Sequence, residues 1–225
     1  MKNIVLYTKH IWKLVLLPVV VLLLFISSCT KKIDLAPYNS ISEATAFSTP
    51  SLVALSVTGM YNSAQLGYYA GAPRGYPFGA AFIEQGDCRG EDVVNNATFY
   101  QLTYTATYDR TTANNINFWF DSYRLINRTN IVIAGVTDAV TKNVITQAQG
   151  NIYLGEAYFF RAITHLELLI HFARPYNYTA DHSHLGVPYR DQAYITLTAV
   201  DAGTSQHRNT VADCYAKIIA DLNLA

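Results

Sequence analysis

The longest stretch of helical periodicity in the sequence lies in residues 144–173. Small or apolar residues recur there at steps of three and four, at Ala148, Ile152, Gly155, Phe159, Ala162, Ile163, Leu166 and Leu169 or Ile170. This spacing places them on one face of an α-helix, and no proline interrupts the helix before Pro175. At about 1.5 Å per residue, the segment predicts a helix of about 45 Å, whose apolar face neighbouring helices must cover. We interpret Glu156 and Arg161, in its middle, as satisfied or surface charges rather than catalytic groups.

A second helical run covers residues 44–64 and contains Pro50. Proline suits the first turn of a helix, because the backbone N–H that it lacks would have no partner there. Ser48 or Thr49 precedes it and can cap the free amide groups of that turn. The pattern therefore predicts a helix that begins at Pro50.

Helical spacing returns in residues 117–136 and in the segment from Arg208 to the end of the chain. Residues 137–138 predict a turn, and residues 201–206 predict a loop. Asn127 and Asn130 lie on the 117–136 helix, and we expect them to bind backbone groups between helices.

Residues 66–115 have a different character. Glycine and proline recur through them with aromatic residues in between, which is typical of irregular structure. Residues 101–108 (QLTYTATY) alternate and are rich in β-formers, which predicts a short strand. Together these patterns predict a mostly α fold with a long irregular loop region and a short strand.

The amino terminus is typical of an exported protein. Lysines precede an apolar segment at residues 14–26, which is shorter than the ~20 residues needed to span a membrane. The following sequence ISSC, residues 26–29, resembles the bacterial lipobox. We therefore predict a lipoprotein signal peptide at residues 1–28, lipid attachment at Cys29 and a lipidated tether over residues 29–41.

Charge argues against a nucleic-acid partner. The chain has 16 Lys and Arg against 16 Asp and Glu, and only 14% of its residues are charged. It therefore has no basic excess to neutralise a phosphate backbone. Its 17 tyrosines each offer a flat apolar face and a hydroxyl, which suit interfaces and sugar stacking.

Motifs for catalysis are missing from the sequence. It contains neither a glycine-rich phosphate loop after a strand nor G-x-S-x-G, so we predict no enzyme and no cofactor. His165 and His171 are six residues apart and face different sides of a helix, so they cannot share a ligand. His182 and His184 lie in a polar loop and are interpreted as solvated, so no metal site is predicted.

Two cysteines remain after lipidation of Cys29. Export makes a disulfide between Cys88 and Cys214 chemically feasible, and two buried free thiols are the alternative. The sequence around them does not decide between these states.

Several segments resemble the SusD/RagB family. The matching positions are Phe47 with Gly59 and Tyr61, W-x-x-x-Y-x-x-I-x-x-x-N at 119–130, EA-x-F-x-RA at 156–162, GVPY at 186–189, and R-x-T-V-x-x-x-Y-x-x-I-x-x-D-L at 208–222. The resemblance implies a surface lipoprotein of Bacteroidetes that captures glycans or other nutrients for a TonB-dependent, SusC-like outer-membrane transporter.

The resemblance also implies an architecture. Family members are built of tetratricopeptide-like (TPR-like) helical hairpins, and LGEAY at residues 154–158 is similar to the L-G-x-x-Y of that repeat. Because known members are longer, we expect residues 42–225 to be the N-terminal part of such a helical domain, with the C-terminal part absent.

The resemblance places part of the glycan site between the first two helices, where no individual residue matches a family binding motif. Side-chain chemistry therefore selects the candidates, because sugar receptors combine aromatic platforms with polar groups. The predicted ligand-binding residues are Arg74, Tyr76, Phe78, Asn96, Tyr100 and Tyr104. The expected ligand is an oligosaccharide or a peptide.

Two other functional classes are alternatives. A TPR-like scaffold that binds only protein partners would retain transporter binding without binding sugar or peptide. A secreted hydrolase would need paired carboxylates or a nucleophile with its base, and the sequence contains no such arrangement.

Overall fold

The computed structural model describes residues 43–67, 73–90 and 92–225, and within these ranges the fold is helical. The helices are α1 (Glu43–Ala46), α2 (Pro50–Leu66), α3 (Ala80–Asp87), α4 (Gln101–Tyr104), α5 (Ala113–Thr141), α6 (Gln147–Phe172), α7 (Leu197–Thr204) and α8 (Val211–Leu224). A 3-10 turn at Tyr176–Tyr178 lies between α6 and α7. Cys29, the signal peptide and the tether lie outside the described residues. In these ranges, no helix combines the length and apolarity that crossing a bilayer requires.

The predicted long helix is confirmed as α6. It begins after Thr146, whose Oγ1 accepts a hydrogen bond from the Gln149 amide at 3.2 Å, and it ends at Phe172, before Pro175. Helix α2 likewise begins at Pro50 and is capped by Thr49. Hydroxyl caps thus define both helix starts, as the sequence predicts for α2.

Helix α5 is longer at both ends than the predicted 117–136. The predicted turn at residues 137–138 is wrong because the helix continues through it. The Thr137 hydroxyl donates to the Ile133 carbonyl at 2.7 Å, and the Thr141 hydroxyl to the Thr137 carbonyl at 2.9 Å. These polar side chains are satisfied inside the helix, so their polarity does not end it.

The short strand predicted at residues 101–108 is also wrong. The segment forms α4, in which the Tyr104 amide donates to the Tyr100 carbonyl at 2.9 Å. Ala106 then adopts a left-handed backbone with φ of 53° and turns the chain away. A strand needs a partner ladder, and the described residues contain only an isolated antiparallel bridge between Leu185 and Thr210.

Two further segments predicted to be irregular are helical. The first forms α3 inside the 66–115 region. The second forms α7 in place of the loop predicted at residues 201–206. Thr196 caps α7 by accepting a hydrogen bond from the Ala199 amide at 3.1 Å. A hydroxyl cap therefore starts this helix despite its weak periodicity.

Helices α5 and α6 form the central hairpin. Their short connection makes them antiparallel, which confirms the predicted helical-hairpin architecture. Helix α2 packs on them through a buried apolar cluster that includes Val53, Met60, Leu125, Val132 and Ala157. Each of these side chains is essentially inaccessible to solvent, so this cluster is the centre of the amino-terminal half of the fold.

The buried face of α6 is rotated from the predicted one. Gly155, Ala162 and Leu169 are buried as expected, but Ile152 and Phe159 are 57% and 47% exposed. Helices α2 and α5 cover one side of α6, and α8 covers another. The buried positions of α6 therefore include polar residues, which an apolar pattern cannot identify.

A buried polar network joins α5, α6 and α8. Arg161 forms a bidentate ion pair with Asp221, from Nε to Oδ2 at 2.8 Å and from Nη2 to Oδ1 at 2.6 Å. The Tyr189 hydroxyl donates to the same Oδ2 at 2.5 Å, and Arg161 Nη1 donates to Asn130 Oδ1 at 2.9 Å. The interpretation of Arg161 as a satisfied charge is thus confirmed.

The two predicted asparagines bind the backbone of the segment that precedes α7. Asn130 Nδ2 donates to the carbonyls of Arg190 at 3.2 Å and Gln192 at 3.0 Å. Asn127 accepts from the Tyr194 amide at 2.8 Å and donates to the Tyr194 carbonyl at 3.1 Å. Both therefore bind backbone groups of a segment between helices, as expected.

His165 extends this network. Its Nε2 accepts a hydrogen bond from the Arg190 amide at 3.0 Å, so Nδ1 carries the proton that it donates to the Arg161 carbonyl at 2.9 Å. Burial lowers the pKa of His165 to about 3. Both ring nitrogens therefore have a hydrogen-bond partner, and the neutral ring links α6 to the loop that contains Arg190.

We predict that Arg161→Met lowers the free energy of unfolding by about 3–5 kcal/mol, because it leaves the Asp221 carboxylate buried without its partner. Replacing both residues in Arg161→Met/Asp221→Leu should cost less than the sum of the two single changes. Urea denaturation followed by circular dichroism measures each value.

Arg174→Met is the matched control for this experiment, because Arg174 is exposed beyond the end of the same helix. It should change stability by less than about 0.5 kcal/mol. Equal costs for Arg161→Met and Arg174→Met would contradict the structural role of the pair.

Candidate functional site

A cavity of about 680 Å³ opens between α3, the start of α5 and the end of α6. We call it the aromatic groove. Its lining residues are Phe82, Gln85, Arg89, Tyr108, Asp109, Arg110, Asn115, Ile116, Phe118, Trp119, Phe120, Ile170, His171 and Phe172.

The floor of the aromatic groove is a set of stacked rings. Phe118 stacks on Phe172 with 5.9 Å between centroids and an interplanar angle of 18°, and Phe82 stacks on Phe118 at 6.0 Å and 24°. Trp119 meets Phe172 edge to face at 4.9 Å. The rings come from three helices. Phe118 is buried and supports the floor from the core, whereas Phe82, Trp119 and Phe172 are half-buried and remain partly accessible.

The rim on the loop side is polar. The Arg89 guanidinium lies 5.7 Å from the centroid of Tyr108, which is 43% exposed. Asp109 Oδ1 accepts hydrogen bonds from the Thr111 hydroxyl at 2.7 Å and the Thr111 amide at 2.8 Å. These two bonds lower the pKa of Asp109, so its carboxylate is ionised at neutral pH.

A side chain from α5 fixes this turn. Asn115 Nδ2 donates to the Asp109 carbonyl at 3.1 Å, and the Thr112 hydroxyl accepts from the Asp109 amide at 2.9 Å. The loop that carries Tyr108 is therefore tied to the first turn of α5. The rim is positioned before any ligand arrives, which reduces the entropy lost on binding.

His171 contributes a neutral ring to the groove. Its centroid lies 4.7 Å from that of Phe118, and Nδ1 donates to the Glu167 carbonyl at 2.8 Å. Burial lowers the pKa of His171, so the ring is uncharged at neutral pH. It therefore adds an aromatic face and no positive charge.

Three of the predicted ligand residues pack against neighbouring side chains, and two of them are buried. Tyr76 is completely buried, and its hydroxyl donates to Asn114 Oδ1 at 2.7 Å. Tyr100 is also buried, and burial raises the pKa of its hydroxyl. Phe78 is half-buried against Phe82 and Phe160. A buried ring cannot stack on a sugar, so the assignment of Tyr76 and Tyr100 as platforms is corrected.

The other three predicted residues lie on the surface. The Arg74 guanidinium lies over the Phe99 ring, 4.3 Å from its centroid, and Asn96 and Tyr104 are exposed. None of the six predicted residues lines the aromatic groove. Arg74, Asn96 and Tyr104 remain proposed ligand contacts outside it.

The groove residues come from separate parts of the sequence. Tyr108 and Asp109 belong to the loop region that the sequence singles out, but Trp119 and His171 lie on helices whose periodicity predicts packing. One signal was present in the sequence, since Asp-x-Thr is typical of a turn in which the aspartate side chain binds the backbone amide two residues on. Only the pairing of α3, α5 and α6 brings these residues together.

The remaining reactive groups are separate from one another. Cys88 and Cys214 are both buried and free, which decides the open question in favour of two thiols. His182 Nδ1 bonds to the Tyr176 carbonyl at 2.8 Å, and His184 Nδ1 to the Thr179 hydroxyl at 2.9 Å. In ranges 43–67, 73–90 and 92–225, no three His, Cys, Asp or Glu side chains are grouped to hold a metal ion.

Comparison with protein-family models identifies one family. Residues 33–225 match a SusD-like family model whose description is "Starch-binding associating with outer membrane". No curated protein matches the sequence.

Two solved structures share the fold. A SusD superfamily protein from Bacteroides fragilis has 24% identity and a TM-score of 0.65 over 79% of this chain and 39% of that one. A SusD-like carbohydrate binding protein from Bacteroides vulgatus has 22% identity and a TM-score of 0.62 over 78% and 35%. The chain therefore spans less than two-fifths of the length of either protein.

The packing role of Tyr76 yields a prediction. Tyr76→Phe removes the hydroxyl that serves buried Asn114, so it should lower the free energy of unfolding by about 1–3 kcal/mol. Thermal denaturation measures this loss, with Tyr104→Phe at an exposed position as the control. A Tyr76→Phe variant with unchanged stability and weakened glycan binding would restore Tyr76 as a ligand residue.

Proposed function

This chain belongs to the SusD-like family, and we propose that it is a cell-surface lipoprotein that binds a glycan and delivers it to a TonB-dependent outer-membrane transporter. The family match confirms the resemblance drawn from the five sequence segments. The observation that carries the glycan-binding proposal is the aromatic groove, with stacked rings as its floor and a fixed polar rim.

The groove suits the two kinds of surface that a sugar presents. The C–H face of a pyranose packs on an aromatic ring, and such contacts contribute about 0.5–1.5 kcal/mol beyond area burial. Sugar hydroxyls need donors and acceptors, which Arg89, Asp109 and Asn115 supply at the rim. The volume of about 680 Å³ lies within the range of about 300–1,000 Å³ typical of small-molecule sites.

We propose that the aromatic groove binds a glycan without cleaving it. Glycoside hydrolysis generally uses two carboxylates on either side of the scissile bond. Among the described residues that line the aromatic groove, Asp109 is the only carboxylate.

Membrane attachment completes the proposal. The lipobox-like residues 26–29 would direct acylation of Cys29, and residues 29–41 would serve as the tether. A lipid chain stabilises membrane association by about 0.8 kcal/mol per buried CH₂ group. The anchored helical domain would then present its glycan to a SusC-like transporter in the same membrane.

We predict that Tyr108→Ala weakens glycan binding by about 2- to 12-fold, the equivalent of one lost aromatic contact. A glycan array identifies a neutral oligosaccharide that the wild-type chain binds, with maltoheptaose included as a starch-derived probe. Isothermal titration calorimetry then measures the affinity of each variant.

Tyr178→Ala is the control for this experiment. Tyr178 is 61% exposed and lies on the 3-10 turn, away from the groove. It should bind the same glycan as tightly as wild type. Equal affinities of Tyr108→Ala and wild type would contradict binding in the groove, and failure of the wild type to bind any glycan would contradict the proposed function.

Anchoring is tested separately with Cys29→Ser. This variant lacks the thiol that accepts the lipid, so labelled palmitate should be incorporated into the wild type and not into the variant. Cys88→Ser, at a buried thiol, should be labelled like the wild type. Equal labelling of the wild type and Cys29→Ser would exclude lipidation at this residue.

A further inference from the structure

Trp119 and Phe120 line a second cavity in addition to the aromatic groove. This cavity has a volume of about 670 Å³ and lies between the middle of α5 and the residues 188–204 that carry α7. We call it the basic groove. It differs from the aromatic groove in charge, and that difference indicates a different ligand.

Three arginines line the basic groove, Arg124, Arg128 and Arg190. The described residues that line it include no aspartate and no glutamate. The lining of the aromatic groove, by contrast, includes the carboxylate of Asp109 together with two arginines, Arg89 and Arg110. Clustered positive charge beside apolar walls attracts an anion.

The three guanidinium groups differ in how they are held. Arg124 lies 3.4 Å from the Asp121 carboxylate, and the Arg124 side chain is 60% exposed. Asp121 is buried beneath it and does not line the cavity. Within the described part of the chain, neither Arg128 nor Arg190 is in an ion pair, so their charges are available to a ligand.

Arg190 is held in place before any ligand binds. Its Nη2 donates to the Gly203 carbonyl at 3.0 Å, and its guanidinium lies 5.0 Å from the centroid of Tyr194 and 5.9 Å from that of Tyr123. The amide of Asn127 pairs with both backbone groups of Tyr194. The Tyr123 hydroxyl donates to the Pro188 carbonyl at 2.8 Å. The rings of Tyr123 and Tyr194 and the Arg190 guanidinium are therefore held in place.

We propose that the basic groove binds an acidic sugar. The planar guanidinium fork matches a carboxylate or sulfate through paired hydrogen bonds, which a neutral hydroxyl cannot replace. The rings of Trp119, Tyr123 and Tyr194 provide the apolar face on which a pyranose packs. The inference rests on the proposed glycan-binding function and adds a second subsite with a defined ligand class.

The anion on the sugar has two chemical sources, a uronate carboxylate or a sulfate ester. Three trisaccharide probes distinguish them: trigalacturonate, a sulfated trisaccharide and neutral maltotriose. Calorimetry with the full chain should show tighter binding of at least one acidic probe than of maltotriose. That advantage should decrease as salt is added, because the added ions screen the arginines.

Arg128→Gln tests the site directly, because Arg128 is exposed and its removal leaves the buried network intact. We expect it to weaken binding of the preferred acidic probe by about three- to tenfold and to leave neutral-glycan binding unchanged. Arg174→Gln, which removes an exposed cation outside both grooves, is the matched control and should not change acidic-probe affinity. Arg128→Lys keeps the charge without the fork and should bind with intermediate affinity.

Each outcome decides between the proposals. Unchanged acidic-probe affinity in Arg128→Gln would overturn the basic groove as the site. Binding of neutral glycans with no preference for either acidic probe would overturn this inference and leave the proposed function standing. Absence of binding to every glycan would overturn both. A preference for the sulfated probe supports the inference and identifies the anion as sulfate.

Discussion

The ion pair between Arg161 and Asp221 is the constraint on which the carboxy-terminal half of the fold depends. Burying two charges is unfavourable unless every polar atom finds a partner. Asp221 meets this condition with Arg161 and the Tyr189 hydroxyl, and Arg161 meets it with Asp221, Asn130 and the Asp191 carbonyl. The pair therefore fixes α5, α6, α8 and the loop before α7 in one register. That loop forms a wall of the basic groove, so the buried network also positions a surface site.

The long helices could be predicted because their periodicity and caps are local properties. Helices α2, α6 and α8 follow apolar spacing and hydroxyl caps. The role of Arg161 was also predictable, since a charge in the middle of a packed helix needs a partner. The identity of that partner could not be predicted, because Asp221 lies 60 residues away in sequence and only tertiary packing brings it close to Arg161. The residues at 101–108 show the opposite case, in which local alternation predicted a strand that no neighbour pairs with.

The site was harder to predict than the fold because tyrosine suits both a core and a binding surface. Composition located the loop region, but it could not separate Tyr76, which is buried against Asn114, from Tyr108, which faces solvent. That distinction depends on how α3 packs on α5. For Trp119 the sequence misleads in the other direction. Its helical spacing indicates packing, but in the structure it lines both grooves.

The neutral state of His165 makes the joint between α6 and the loop sensitive to acid. At present His165 Nε2 accepts a hydrogen bond from the Arg190 amide. Protonation of Nε2 would place a second N–H group opposite that amide and break the bond. Because the pKa is lowered to about 3 in the folded protein, the unfolded chain binds this proton first as pH falls. The contribution of His165 to stability is therefore complete above about pH 6.5 and declines as pH falls from there to about 3, by at most about 1.4 kcal/mol per pH unit. The contact that holds this wall of the basic groove against α6 is therefore acid-labile.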